Sequence, residues 1–250
     1  VKKSLLVASL FLLAQLLFAF EPSALNLRVP SGLDRNSLVL DIQHRVYGVL
    51  TEDPFENLFG LDMGANASIG VRYALLTQLE LKASYTTLAE EYRLGASYAR
   101  DIPQIYLKGQ LDIEYFDFEV AGERNRNFYY GLTVQSFPMV GFFTPTVNVA
   151  YDGFNEKFGL GFGADLGFDW YFGPIEHVSL IGEYYPILQS EEPITNGEDV
   201  FAAGLRLDTY GHHFMLQISN SYDIGTRRLM LGAPTNDIYL GFNIHRILQF

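Results

Sequence analysis

The sequence predicts an all-β fold: one antiparallel, up-and-down transmembrane β-barrel of about twelve strands, behind an N-terminal signal peptide. Three observations predict it. The stretch KFGLGFGADLGFDWYF at 157–172 holds a strict two-residue period, well beyond the usual strand of about 5–6 residues. The segments joining such runs alternate between short and long. The chain closes on an apolar alternation ending in Phe250.

The runs follow in order. In 37–48, Asp41 and Arg45 point to one face and Ile42, His44 and Val46 to the other. In 62–73, Met63, Ala65, Ala67, Ile69, Val71 and Tyr73 oppose Asp62, Asn66, Ser68 and Arg72. Leu79, Leu81, Ala83 and Tyr85 oppose Glu80, Lys82, Ser84 and Thr86 in 78–86, and Tyr92 and Tyr98 flank the opposite-facing Arg93 in 91–99. In 104–117, Ile105, Leu107, Leu111, Ile113 and Tyr115 oppose Lys108, Gln110, Asp112 and Glu114. Further strands are predicted at 127–136, 144–151, 157–172, 177–186, 199–209, 212–221 and 237–249. In the last, Ile238, Leu240, Phe242 and Ile244 share a face. Alternation of this kind marks a strand with two different environments.

A soluble sandwich needs neither such long strands nor loops sorted by length. A membrane barrel needs both. Its strands take about 9–11 tilted residues, its turns are short on the periplasmic side and longer outside, and closure pairs every backbone group in the lipid. The bulky face then meets lipid, and the glycine and aspartate face lines the lumen. Tyr73, Tyr85, Tyr92, Tyr98, Tyr115, Tyr151, Trp170 and Phe172 fall near predicted strand ends on the lipid face, as an aromatic girdle does. The expected location is the bacterial outer membrane, with outer-membrane lipid as a partner. Phe250 ends an alternation like the signal read by the barrel-assembly machinery, although Arg246 interrupts it.

Lys2 and Lys3 before the apolar Leu5–Leu17 run, then Ala19, read as a signal peptide over 1–19. Residues 20–36 form an N-terminal segment that is either periplasmic or plugs the lumen, and 37–250 form the barrel. The formal charge of −12 argues against a nucleic-acid partner. Cysteine is absent, which excludes disulfides and thiolate chemistry.

The stretches SLVLDIQHRVYG at 37–48 and NLFGLDMGANASIGVRYAL at 57–75 resemble the start of an outer-membrane barrel family, catalogued as a β-barrel domain of unknown function in diderm bacteria. Its Gln-His-Arg strand, Phe-Gly-Leu-Asp stretch and Gly/Ala/Asn alternation are matched here. The resemblance implies the barrel fold and the location, and no substrate.

The predicted lumen carries both signs of charge. The pore-lining candidates are Arg45, Arg72, Lys82, Arg93, Lys108, Asp112, Glu114, Asp165, Asp169 and Arg206. A narrow pore or passive transporter for small polar solutes is the leading expectation, with selectivity set by these charges. The rival is a non-conducting, plugged barrel serving as a surface anchor or interaction module. Eight strands are filled by side chains and 16–18 leave a channel, so twelve leaves both readings open. Gly159, Gly161, Gly163 and Gly167 either admit another backbone, such as residues 21–35, or ease curvature. Tyr106, Tyr129, Tyr171 and Ile181 are the bulky inward candidates. No enzyme, cofactor or metal site is expected. His44 faces outward without a serine, so a nucleophile–base pair is missing, and His212-His213 points to opposite faces. The acidic stretch at 189–199 is a candidate for divalent cations. Arg124, Arg126, Arg227 and Arg228 in outer loops are candidates for phosphates or sugars.

Overall fold

The computed structural model describes residues 24–52, 55, 58–188 and 197–250. The signal peptide at 1–19, most of the acidic stretch at 189–199, and Asp53 and Glu56 lie outside them. Twelve strands close into a barrel: β1 (Leu38–Val49), β2 (Ala65–Leu76), β3 (Leu79–Thr86), β4 (Glu91–Ile102), β5 (Leu107–Val120), β6 (Glu123–Ser136), β7 (Phe143–Asp152), β8 (Lys157–Phe172), β9 (Ile175–Tyr185), β10 (Val200–Thr209), β11 (His212–Ser219) and β12 (Tyr239–Leu248). Each pairs antiparallel with its sequence neighbours, and β1 pairs with β12 to close the wall. Nothing remains as a free sheet edge within the bilayer, which is what lipid requires.

The two faces differ as the alternation demands. Ile69 is 65% exposed, and Leu94 and Leu111 are each 59% exposed, which is a lipid-facing surface and not a core. Arg45, Glu80, Asp112 and Arg206, from the opposite register, are buried. Aromatic pairs mark both ends of the wall. Tyr85 meets Tyr92 at 4.8 Å and Tyr151 meets Phe158 at 5.0 Å near the outer rim, and Phe142 stacks on Phe168 at 5.7 Å near the inner one. Both chain ends of the barrel and the short turns share the inner end, which is the periplasmic one by the rule for such barrels.

Three sequence expectations are corrected. Met63 is not in a strand: Leu58–Met63 forms a 3-10 turn against β1, with Gly60 and Gly48 backbone to backbone. β2 therefore starts at Ala65 and sets Ala67 opposite His44. The stretch at 118–126 is not a loop. β5 and β6 run on to a two-residue turn at Ala121-Gly122, both with positive φ, the twist that suits a tight hairpin. Tyr106 and Tyr171 do not face the lumen. Tyr106 sits at a left-handed turn position and is 76% exposed, and Tyr171 is 81% exposed near the end of β8, beyond the last residue paired with β7. Tyr129 and Ile181 are buried inside. Phe116, Phe118 and Tyr185 join Tyr129 there in an apolar layer that the alternation alone did not single out.

Candidate functional site

The lumen is the site, and two pieces of chain occupy it. The first is residues 24–33. The Asn26 backbone N–H donates to Glu183 Oε1 at 2.9 Å and that of Leu27 to the same oxygen at 3.1 Å. Leu27 lies over Gly161 and Gly163 of β8. A Cβ on Gly161 would come within 2.7 Å of Leu27 Cδ2, and one on Gly163 would collide with Cδ1. Arg28 donates its backbone N–H to Asn148 Oδ1 at 2.8 Å and pairs through its guanidinium with Glu114. Ser31 N–H donates to Gln110 Oε1 at 2.9 Å. Leu33 packs on Val39 and Ala74 at the periplasmic end.

The second piece is the β11–β12 connection, which carries a single helical turn, α1 (Thr226–Leu229). It folds inward from the outer rim. Thr226 Oγ1 donates to the Asn26 carbonyl at 2.9 Å, so the two pieces touch. Arg93, Arg227 and Arg228 converge on Glu91, and Arg227 also reaches Asp152 at 3.3 Å. Arg227 lies 4.1 Å from the Phe116 ring centre and 4.9 Å from that of Phe118. Leu27, Leu229 and Met230 fill the space between these rings and Tyr185. Arg227 and Arg228 thus serve the interior, and the expectation that they face free phosphate from a loop is corrected. Arg124 and Arg126 do stay at the outer rim, both on Asp117.

All ten predicted lumen residues point inward, but they divide among four settings. Arg45 is buried against the inserted segment, donating to Asn26 Oδ1 and Asn243 Oδ1 at 2.8 Å each. Arg93 belongs to the Glu91 cluster. Arg72, Lys82, Asp112 and Glu114 form a mid-lumen network with Asp41 and Glu80. Arg72 meets Asp41 at 2.9 Å and Glu80 at 3.4 Å, and Lys82 meets Asp112 at 2.7 Å. Asp41, Arg72, Glu80, Lys82 and Glu114 of this network and residues 24–29 border a cavity of about 130 Å³. Lys108, Asp165, Asp169 and Arg206 border a larger one of about 310 Å³ at the periplasmic mouth. There Arg206 pairs with Asp165 at 2.8 Å and Asp208 at 3.1 Å, and Asp169 meets His177 at 3.1 Å. Glu91, Asp152 and Arg28 were missed by sequence reading. Glu91 shares its face with Arg93 two residues on, a signal that was available. Arg28 lies outside any strand and carried none.

The lipid face bears no catalytic pair at His44. It stacks on Phe242 at 4.9 Å, and its cross-strand neighbours are Phe242 and Ala67. His213 points inward to Asp208 at 2.6 Å while His212 contacts Arg246 on the outside. Among the described residues no three His, Asp or Glu side chains gather as a metal site. Arg246, the interruption in the terminal alternation, also donates to the Tyr210 carbonyl at 3.1 Å, and Phe250 is exposed beyond β12.

A family model described as a membrane bound beta barrel domain, DUF5777, matches residues 24–100 and 125–248. The chain belongs to this family. It is a bacterial outer-membrane β-barrel. No curated protein matches it. Among solved structures it is similar to LpxR from Salmonella typhimurium, with 11% identity and a TM-score of 0.45, over 86% of this chain and 100% of that one. It is also similar to an Escherichia coli outer membrane phospholipase A variant, with 13% identity and a TM-score of 0.38, over 88% and 93%. A Rhodopseudomonas blastica porin variant shows 12% identity and a TM-score of 0.37, over 73% of this chain. The match covers 55% of that porin's length.

Proposed function

We propose that the barrel is non-conducting as folded, a plugged outer-membrane anchor whose outer loops face the surroundings of the cell. The observation that carries this reading is the contact between the two inserted pieces. Thr226 of the outer connection bonds the Asn26 carbonyl while Asn26 and Leu27 bond Glu183 across the lumen. A passage from mouth to rim would have to part both pieces and expose Glu183 and Glu91 together. Breaking such a buried pairing by removing one partner costs about 3–5 kcal/mol.

The pore reading draws on one observation, the polar chamber of about 310 Å³ bordered by Lys108, Asp165, Asp169 and Arg206. It requires the barriers above that chamber to leave. Conductance of the refolded chain in a planar bilayer separates the two readings. The plugged barrel gives a silent bilayer while the protein remains heat-modifiable on a gel. Regular conductance steps from the intact protein would replace this reading with the pore.

A further inference from the structure

We infer that the periplasmic chamber is a binding site for short zwitterionic peptides of two or three residues. This goes beyond the closed-barrel reading, because neither inserted piece borders the chamber, which lies at the periplasmic mouth whether or not the lumen conducts.

The chamber has one cationic wall and one anionic wall. Lys108 on β5 is the cation. Its ammonium sits 5.2 Å from the Phe137 ring centre and has no carboxylate partner among the described residues. This differs from Arg72, Lys82 and Arg206, each of which is held by acids. The wall a quarter-turn away, at β8, is acidic. Asp165 on β8 gives one oxygen to Arg206, and its second oxygen has no hydrogen-bond partner among the described residues. Asp169 stands below it at the mouth with a 77% exposed side chain, against His177. Gln135 of β6, which pairs with Lys108, lies between the walls. A chamber of about 310 Å³ is at the small end of ligand sites, which run from about 300 to 1,000 Å³.

The spacing selects the ligand. Lys108 pairs with Gln135 on β6, and Thr144 of β7 pairs with Asp165 on β8. Gln135 pairs with Thr146, two residues from Thr144, so Lys108 and Asp165 are three strand spacings apart across the sheet and two residues apart along it, about 14 Å by about 7 Å at about 4.8 Å per strand and about 3.3 Å per residue. The lysine stem and the aspartate take up part of that span. What remains is longer than the separation of the charges in a single amino acid. It suits a chain extended at about 3.3–3.6 Å per residue over two or three residues. The peptide carboxylate would meet Lys108, and its ammonium would meet Asp165 and Asp169.

The test is calorimetric titration of the detergent-solubilised, full-length barrel with alanyl-alanine and trialanine. N-acetyl and C-terminal amide forms and free alanine are the comparisons. A hydrogen bond to a charged group contributes about 1.5–3 kcal/mol, so either blocked form binds roughly tenfold or more weakly than the free peptide. Free alanine binds more weakly still. Lys108→Gln reduces affinity for the free peptide by about the same factor and leaves the C-terminal amide unaffected. The comparison of blocked and free peptides needs no variant, so it stands if a substitution fails to fold. No saturable heat with any peptide, equal affinity for blocked and free forms, or an unchanged affinity in Lys108→Gln would each overturn the site. Binding is read without reference to conductance, so failure here leaves the plugged-barrel reading standing.

Discussion

In the outer half of the lumen, Arg93, Arg227 and Arg228 crowd one carboxylate, Glu91, and aromatic rings pack over the charges. In the inner half, Lys108 faces an open chamber with a phenylalanine ring beside it. Both halves are made by the same alternation of inward polar and outward apolar residues. The outer half receives the folded-in β11–β12 connection, whereas in the inner half residues 31–33 pass along the β1–β5 side and do not border the chamber at Lys108. Charge in a barrel lumen is thus not itself a sign of a water path. It becomes a path or a seal according to whether a second piece of chain supplies the counter-charges and excludes water.

The sharpest way to break the contrast is Glu91→Ala. Three guanidinium groups then lose a shared partner in a buried setting, where removal of one side of an ion pair costs about 3–5 kcal/mol. The outer connection is expected to leave the lumen, and trypsin should cut the folded barrel after Arg227 or Arg228. Continued resistance at those two sites would show that the apolar packing of Leu229 and Met230 holds the connection without Glu91.

A smaller effect is expected from Gly163→Val, which sets a side chain into Leu27. Overpacking of this kind costs about 1–3 kcal/mol. The expected readout is new tryptic cleavage after Arg28 with the outer connection still protected. Cleavage at both places at once would mean the two inserted pieces form a single cooperative unit.

Smallest is Asp223→Asn. Burial pushes the Asp223 carboxyl above its ordinary value of 3.8, despite Arg228 nearby. A raised acid contributes stability that is fully present below the unfolded pKa and is lost as pH rises through the folded one. The wild type should therefore lose a little stability as pH climbs from 3.8 through that higher folded value, and the Asn variant should show a flatter profile there. At neutral pH the Asn variant should be the more stable of the two, because it removes the cost of a buried charge. Thermal melts across pH in one detergent check this, and a steep loss at neutral pH would make the Asp223 charge a member of the seal.

The wall was legible in the sequence. The alternation at 157–172 became β8 with the same limits, because a period of two is a property of neighbouring residues and survives any tertiary arrangement. Strand ends were less legible. Residues 118–126 read as loop from their charges, yet Arg124 and Arg126 pair across the hairpin with Asp117 and extend β5 and β6 past the membrane. The inward direction of Arg45 and Arg206 was also legible. Their partners were not, since an inward charge looks the same whether it meets water or a buried acid.

By itself the sequence determined a closed, two-faced wall of about twelve strands in the outer membrane and, away from the strand ends, which side chains turn inward. Only the tertiary structure decided what fills the wall. Asn26 meets Glu183 across 157 positions, and Arg227 meets Glu91 across 136. The physical reason is the range of the information. Lipid selects each strand's pattern locally, residue by residue. The contents of the lumen depend on contacts that exist only after the barrel has closed around them.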